Sequence, residues 1–447
     1  MKTTFSEAVS NRPVTLFQWS VVLMVLLVLV FDGMDAQSLG LVVPIILDEW
    51  GIDRAEFGWA LSASLFGMST GALAGGWLGD RVGRLNSLFL SALIFGLATI
   101  ASSQVDNVAA MTALRVIGGL GFGAAGPNGL ALASEWTPER FRTYVIAVLS
   151  VGTPGGGAIA AGIAPFLLED FGWRGLFLAF GGLSVAIGFL ALLVIRESPS
   201  YHLVKGRPER AHVVARRVLG DDLELEPERA STAEGAIGGK DAGVFDRSNA
   251  RLTIGVGIAF SASTAVVYSI SSWGTELLTS HGFSQAQAIG VIFWVGLVSV
   301  ACAIASGWVV RRFGSRSVML ACSLTTFAAV IGLGALIEHM GDAPSTGSLV
   351  AVYALACAVG GIASLGISTI YSMMTLGYPV SCRSTGIGLG MMMGRVGAIV
   401  MSFSGGYIIN FGGDSVVPFF GVLAVCALLV SSCAWIIDRH VAPARAG

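Results

Sequence analysis

The stretch "GWLGDRVGRL", Gly76 to Leu85, links two apolar segments in the first half of this chain, and "GWVVRRFGSR", Gly307 to Arg316, links two in the second half. The shared positions are Gly76 with Gly307, Trp77 with Trp308, Arg81 with Arg312, and Gly83 with Gly314. A repeat in topologically equivalent links indicates that one structural unit occurs twice. The sequence therefore predicts two related halves.

The composition predicts that both halves lie in a membrane. Of 447 residues, 54% are hydrophobic and only 12% are charged, whereas soluble domains carry about 25% charged residues. Apolar segments of about 20 residues or more, long enough to cross a bilayer, recur along the chain. The predicted spans are 17–47, 56–78, 86–104, 108–135, 143–168, 173–195, 252–279, 285–310, 317–338, 347–378, 385–410 and 416–437. We expect an all-α membrane protein with twelve transmembrane helices.

The spans divide into two groups of six. Residues 1–195 are expected to form an N-terminal six-helix bundle, 196–250 a polar cytoplasmic loop, and 251–447 a C-terminal six-helix bundle. Within the loop, an amphipathic helix is expected near 208–219. All but four of the 26 Lys and Arg residues fall on the side of the N-terminus, which the positive-inside rule assigns to the cytoplasm. We expect a multi-pass protein of the cytoplasmic (inner) membrane with both termini inside.

Two aspartates stand inside the first span, in "FDGMD". Asp32 and Asp35 share one helix face and lie near the expected midplane, where ionisable residues are functional candidates. Two close, poorly hydrated carboxylates cannot both ionise easily, which favours a role in carrying a proton. The alternative is a structural cap or a fixed salt-bridge partner for Arg115 of the fourth span. For Arg115 a salt bridge to the pair is favoured over substrate contact, and Glu135 is a second candidate charge partner.

Arg395 lies near the middle of the eleventh span. A guanidinium is always charged and can bind a carboxylate bidentately, so an anionic substrate is the favoured partner, with a structural ion pair as the alternative. Internal aromatic residues could flank a flat substrate ring, and one amide could donate hydrogen bonds to the substrate, although such residues are more often packing or interface residues. These further candidates are Tyr268, Trp273, Trp294, Tyr371 and Asn128.

The first copy of the repeat carries charges that could form a gate. Asp80, Arg81 and Arg84 could pair with helix ends and with Arg140 or Arg142 in one state and release them in another. A plain solvated turn is the alternative. In the second copy Arg311 replaces the acid, so the two halves cannot gate identically. The gating candidates are Gly76, Asp80, Arg81, Gly83, Arg84, Arg140, Arg142, Arg312 and Gly314.

The link motif and "RVIGGLGFG" (Arg115 to Gly123) resemble the signature patterns of the major facilitator superfamily. More narrowly, the chain is similar to its aromatic acid:proton symporters in Asp32-Gly33-Met34-Asp35, in Pro127-Asn128 with Ser134-Glu135, in the loop 138–142, and in "YPVSCRSTGIGLGMMMGRVG" (378–397). It departs from that family's pattern at Met393 and Thr275. The resemblance implies alternating access at the interface of the halves and proton-coupled import of an aromatic carboxylate. Benzoate, hydroxybenzoate, protocatechuate and lignin-derived acids are not distinguished by these residues.

Other functions fit the sequence less well. A drug:proton antiporter is disfavoured because "GTPGGGA" (152–158) reverses the expected glycine–proline order. A sugar porter is disfavoured because the seventh span lacks a glutamine pair, although "RESPSYH" (196–202) resembles the sugar-type loop; another small organic anion remains an alternative. No P-loop, zinc spacing or nucleophile–base cluster is present, so no enzyme activity, metal or cofactor is expected. A net charge of −2 gives no reason to expect nucleic acid. We expect a monomer in contact with lipid, with six unpaired cysteine thiols.

Overall fold

The structure, a computed structural model, describes residues 3–10, 12–219, 225–226, 244–340, 345–378, 383–413 and 415–442. Within these ranges the regular secondary structure is helical apart from a two-residue parallel strand pair. The elements are β1 Thr3–Thr4, α1 Phe5–Ser10, α2 Leu16–Trp50, α3 Arg54–Val82, α4 Arg84–Ser102, α5 Val108–Trp136, α6 Glu139–Ser150, α7 Gly152–Val194, α8 Pro199–Val204, α9 Pro208–Leu219, β2 Leu225–Glu226, α10 Arg247–Thr279, α11 Gln285–Phe313, α12 Ser315–Glu338, α13 Thr346–Gly377, α14 Arg383–Gly412 and α15 Val417–Ile436. The all-helical prediction is confirmed.

Twelve segments of the described chain can cross a membrane. Ten helices are both long and apolar enough. One of them, α7, has 43 residues and contains two spans, because Gly172 adopts a left-handed φ of 64° and separates them. The helix α3 is long enough at 29 residues, although its residues are less apolar. Counting α7 twice and adding α3 gives the twelve spans of the sequence prediction.

Two details of the chain differ from or extend the predicted spans. The predicted fifth span, 143–168, comprises α6 and the beginning of α7, which are separate helices joined at Val151. Pro154 follows this junction and has no backbone N–H to donate, which is compatible with a new helix start. Between the halves, α9 occupies the range 208–219 predicted for an amphipathic helix, with Ala211 and Ala215 buried.

The repeated glycines explain why the link motif recurs. Gly83 has a φ of 106° and Gly314 a φ of 79°, a region that L side chains rarely adopt and glycine adopts at little cost. Each glycine forms the tight turn between two helices, α3 and α4 in one copy and α11 and α12 in the other. The two halves therefore share this glycine because the same tight turn requires a positive φ in each.

The chain forms two compact units. Unit 1 consists of Met1–Ala36, Phe66–Gly157 and Phe171–Thr232, and unit 2 consists of Gln37–Leu65, Ala158–Asp170 and Ala233–Gly447. The helices α2, α3 and α7 each contribute residues to both units. Unit 2 thus combines parts of three first-half helices with the second half of the sequence.

The core of unit 1 is organised around Trp136 at the end of α5. Its indole packs edge-on against Phe5 at 5.4 Å and Phe17 at 5.0 Å between ring centroids. The indole N–H donates to the carbonyl of Arg196 at 3.2 Å, and the Trp136 carbonyl accepts from Gln18 at 2.7 Å. The apolar face of α9 belongs to the same buried cluster. These contacts fix the N-terminal segment and the start of the central loop against one end of the bundle.

In unit 2, α10 packs closely along α14. The indole of Trp273 is completely buried and donates to the carbonyl of Ser402 at 3.0 Å, while Ser272 and Ser402 share a hydrogen bond of 3.0 Å. Close approach depends on small residues, since a Cβ at Gly397 would overlap the backbone of Ser261. The cysteines inside the described ranges are free thiols, as predicted: Cys302, Cys322, Cys357, Cys426 and Cys433. Cys382 lies outside those ranges.

Candidate functional site

The acid pair of α2 and the arginine of α5 come together in unit 1. Asp35 is 0% exposed and Arg115 is 3% exposed, and their nearest oxygen and nitrogen atoms are 3.9 Å apart. Asp32, one helical turn earlier, is also buried. Charges at this depth are stable only when they compensate each other, because an isolated buried charge loses its hydration. Asp35 and Arg115 therefore form a buried ion pair, with Asp32 close to it on the same helix.

The position of Asp32 depends on the contact between α2 and α7. The hydroxyl of Thr153 donates to Asp32 Oδ2 at 3.4 Å. A Cβ on Gly33 would overlap the backbone of Thr153, and one on Gly156 would overlap the carbonyl of Val30. Glycine on both helices permits this close approach. The glycine within "FDGMD" is thus explained by packing beside the two acids.

Arg115 is held in a partly apolar environment. Its guanidinium carbon lies 5.0 Å from the centre of the Phe177 ring, within the range of a cation–π interaction. In the parts of the chain that the structure describes, its Nε and Nη2 atoms have no hydrogen-bond partner. Its separation from Asp35 is at the long limit of a salt bridge. Arg115 is therefore a buried guanidinium with one distant carboxylate and one aromatic ring as its neighbours.

A second cluster lies in unit 2 around Arg395 of α14. Tyr371 of α13 interacts electrostatically with both Arg395 and Tyr268 of α10. The ring of Tyr371 also packs edge-on against Phe260 at 5.0 Å between centroids. Arg395, Tyr268 and Tyr371 are all half-buried. One cation and two phenolic side chains from three helices are therefore close enough to interact electrostatically.

Three other substrate-binding candidates have different surroundings. Trp273 is buried in the contact between α10 and α14, as described above. Trp294 of α11 is 51% exposed and packs edge-on against Phe293. The amide of Asn128 donates to the carbonyls of Gly75 and Ala124, at 2.9 and 2.8 Å, and so ties α5 to α3.

The first copy of the repeated link is surrounded by charges. Arg84 pairs with Asp80 at 3.4 Å and with Glu135, at the end of α5, at 3.2 Å. The guanidinium of Arg81 lies over the Trp77 ring at 4.0 Å. Gly76, one turn earlier, has open space around it. The link is thus connected to α5 through Arg84.

A residue that was not among the sequence candidates, Glu197, holds the same link from another direction. Its Oε2 accepts a hydrogen bond from the backbone N–H of Leu85 at 3.0 Å, and Tyr201 donates to the carbonyl of Arg81 at 2.9 Å. Burial raises the pKa of Glu197, and its hydrogen bonds from Ser198 and Leu85 oppose that effect in part. Since these residues follow α7 and lie far from the link in sequence, only the "RESPSYH" pattern could have drawn attention to them.

The second copy is held at the equivalent place by uncharged groups. The N–H of Ser315 donates to the Val441 carbonyl at 2.9 Å, and the N–H of Val441 donates to the Ser315 hydroxyl at 2.8 Å. His440 Nδ1 lies 3.3 Å from that hydroxyl, and burial is the main cause that lowers the pKa of His440. Arg312 is exposed in the last turn of α11, next to Gly314.

The two arginines expected to reach the first link lie in the first turn of α6. Arg140 is exposed and donates to the backbone carbonyl of Arg12 at 2.9 Å. Arg142 is half-buried. Arg84 therefore takes its acidic partners from α3 and α5 in this structure. Within the described ranges, no three His, Cys, Asp or Glu side chains lie close enough together to hold a metal ion.

Comparison with known proteins identifies the family. The model of the Major Facilitator Superfamily matches residues 25–335, well over half of the chain. The chain belongs to the major facilitator superfamily. A relative named "4-hydroxybenzoate transporter PcaK", from Pseudomonas aeruginosa, is 31% identical over 415 residues, which cover 90% of this chain and 89% of the relative. These matches place the chain in the aromatic acid transporter family of the superfamily.

Further comparisons agree with that membership and with the fold. A gallate transporter from Pseudomonas putida is 28% identical over 410 residues, covering 90% of this chain and 88% of the relative. Among solved structures, an inward open conformation of the xylose transporter XylE from E. coli matches with a TM-score of 0.74. The identity is 17%, with 95% of this chain and 97% of that one covered. This structural likeness supports the fold alone. The chain is a multi-pass membrane transporter.

Proposed function

We propose that this protein imports a small aromatic carboxylate together with protons, with Asp32 and Asp35 as the proton-carrying pair and Arg395 as the main carboxylate contact. The observation that carries the proposal is the buried contact between Asp35 and Arg115, whose nearest atoms are 3.9 Å apart. Relatives named for 4-hydroxybenzoate, gallate and benzoate transport support the substrate class.

The acid pair is suited to proton coupling because its charge state controls a buried cation. When Asp35 is ionised, it attracts Arg115 across a poorly hydrated contact. When Asp35 is protonated, that attraction is lost and Arg115 is left with Phe177 as a weaker neighbour. The relative stability of the two arrangements of α2 and α5 therefore depends on the proton, which a coupled transporter requires.

The cluster in unit 2 is suited to an aromatic acid because it combines two kinds of contact. The guanidinium of Arg395 can hold both oxygens of a carboxylate. The rings of Tyr371 and Tyr268 offer stacking surfaces and hydroxyls for ring substituents. Trp294 could contribute a further ring surface. Asn128 and Trp273 are assigned structural roles in this proposal, because their N–H groups bond to backbone carbonyls.

The repeated links are proposed to face the cytoplasm. The excess of Lys and Arg at the end of the helices that carries the repeated links supports a cytoplasmic position for that end and for both termini. The membrane is then the cytoplasmic membrane, and inward proton flow drives accumulation. The Asp80–Arg84–Glu135 ion pairs and Glu197 act as a cytoplasmic latch on the first half. A monomer is sufficient for this mechanism.

The test is uptake of labelled acids into proteoliposomes that contain the purified protein. An inside-alkaline pH gradient should drive accumulation of 4-hydroxybenzoate, and a protonophore should abolish it. Unlabelled benzoate, protocatechuate and gallate should compete, whereas D-xylose should not. Accumulation that ignores the protonophore would refute proton coupling, and competition by xylose alone would refute the substrate class.

Variants separate the two clusters. Asp35→Asn should abolish accumulation but leave exchange of internal for external acid, and Asp106→Asn, at an exposed loop position, is the matched control. Arg395→Lys keeps the charge but loses the bidentate fork, so the KM for 4-hydroxybenzoate should rise about tenfold or more. Arg251→Lys, on the exposed surface of α10, is its control. An unchanged KM in Arg395→Lys would refute bidentate recognition.

A further inference from the structure

Within unit 2, the turn between α2 and α3 is bound to helices of the second half of the sequence. Arg54, the first residue of α3, forms an ion pair with Glu276 of α10, with Nε and Oε1 2.8 Å apart. Asp53 accepts a hydrogen bond from Asn410 of α14. These contacts lie at the end of the helices opposite the repeated links. The first half is therefore joined to the second half at this end by charged and polar groups.

The ion pair is unequal in its exposure. The Glu276 side chain is 7% exposed, whereas the Arg54 side chain is 29% exposed. A buried carboxylate without its partner is strongly unfavourable, while a half-exposed arginine can regain water when it leaves. The ion pair is therefore stable while the turn between α2 and α3 lies against α10. To break it, Arg54 must move away from Glu276, and Arg54 is already partly hydrated.

A seam of polar contacts continues inward from this ion pair. The side chain of Gln37 donates to the Ser271 carbonyl at 3.1 Å, and the side chain of Gln285 donates to the Leu41 carbonyl at 2.7 Å. Each bond joins a first-half helix to a second-half helix. Side chain to backbone bonds of this kind can be exchanged for water when the helices separate, at a modest net cost.

Glycines allow the two groups of helices to touch along this seam. A Cβ at Gly40 would overlap the Ser271 carbonyl, one at Gly58 the Phe403 carbonyl, and one at Gly406 the Arg54 carbonyl. Gly406 therefore contacts the backbone of Arg54 directly, while Glu276 binds the Arg54 side chain. Polar bonds and backbone contacts at glycines therefore join the two groups of helices along this seam, beside the ring contact between Trp59 and Phe403.

We infer that Arg54 and Glu276, seated on Gly406, form a gate that closes this end of the transporter and must open once in each transport cycle. The assignment of this end to the outside rests on the proposed function. The gate itself rests on contacts inside unit 2. Weakening Arg54–Glu276 should favour the conformation in which the seam is open to water.

A reporter at Ser271 tests the gate without any substrate. Ser271→Cys is introduced into a variant that lacks the six native cysteines; the backbone carbonyl that accepts from Gln37 is retained. Whole cells are treated with a membrane-impermeant sulfonated maleimide, and the labelling rate is measured. Labelling should be slow in this parent and about tenfold or more faster after Glu276→Gln. Exchange of the two charges, Arg54→Glu with Glu276→Arg, should return the rate to within about threefold of the parent, since the attraction is restored.

Two controls make the result specific. Asp106→Asn removes the partner of Arg174, an ion pair within unit 1, and should leave the labelling rate unchanged. Gly406→Ala should also accelerate labelling, whereas Gly388→Ala on the same helix, with open space around it, should not. Equal rates in Glu276→Gln and the parent, or no recovery on charge exchange, would overturn the gate. Labelling as expected in a protein that takes up no aromatic acid would retain the gate and refute the proposed substrate instead.

Discussion

Removal of either partner of the Asp35–Arg115 pair should destabilise unit 1 substantially. In Asp35→Asn a buried arginine loses the carboxylate 3.9 Å away, and in Arg115→Gln a completely buried carboxylate loses its cation. Breaking a buried pair in this way costs about 3–5 kcal/mol, because the remaining charge is neither hydrated nor compensated. We expect each single variant to lower the free energy of unfolding by about 3 kcal/mol.

The interaction energy follows from the geometry. For unit charges 3.9 Å apart, an effective dielectric constant of about 20 gives an attraction of about 4 kcal/mol. The double variant Asp35→Asn with Arg115→Gln removes both charges and leaves two neutral polar groups. Its loss of stability should be smaller than the sum of the single losses by about 2–4 kcal/mol.

Unfolding of the detergent-solubilised protein in increasing SDS, followed by tryptophan fluorescence, measures all four members of the cycle. Asp106→Asn with Arg174→Gln is a control cycle on an exposed ion pair, for which a coupling of at most about 1 kcal/mol is expected. If the stability losses of the single variants at Asp35 and Arg115 added up to that of the double variant, the two charges would not interact. The proposed link between protonation and the arrangement of α2 and α5 would then be wrong.

Three further substitutions test other contacts. Gly33→Ala should cost about 2 kcal/mol of stability in the same SDS titration because its Cβ overlaps the backbone of α7, whereas Gly155→Ala, with open space around it, should not destabilise. Tyr371→Phe should raise the KM for 4-hydroxybenzoate about fivefold without changing the maximal rate, if one hydrogen bond to the substrate is lost. Because burial raises the pKa of Glu197, its contribution to stability is present at low pH and lost as the pH rises through the folded-state value. The melting temperature of wild type relative to Glu197→Gln should therefore increase from about pH 7 to about pH 4.

The sequence was sufficient for the fold because the fold depends on local signals. Apolar length marks each span, and the paired glycines mark the two equivalent turns, which the structure forms at Gly83 and Gly314 with positive φ. The break inside α7 was anticipated by the separation of the predicted spans at 168 and 173. The junction between α6 and α7 was not predicted, since the residues around it, such as Ser150, Gly152 and Thr153, are small and also occur inside transmembrane helices.

The sequence was less informative about side-chain partners. A charged residue in an apolar span attracts attention by itself, so Asp35, Arg115 and Arg395 were easily selected. An aromatic residue on an apolar helix does not, and periodicity could not show that Trp273 is completely buried. Glu276 and Glu197 were missed because their partners, Arg54 and the link before α4, are distant in sequence, and a single sequence contains no signal for such pairs.

The two repeated links are similar in sequence but are held by different kinds of interaction. The first is held by the carboxylate of Glu197 and by Arg84 with its acidic partners, so its stability depends on charge and on salt concentration. The second is held by one backbone bond from Ser315 to Val441 and by one bond from the Val441 N–H to the Ser315 hydroxyl, beside a histidine whose pKa is lowered by burial. In the proposed function the proton acts through a group that changes charge during the transport cycle, and the buried pair of Asp35 and Arg115 is proposed for that role.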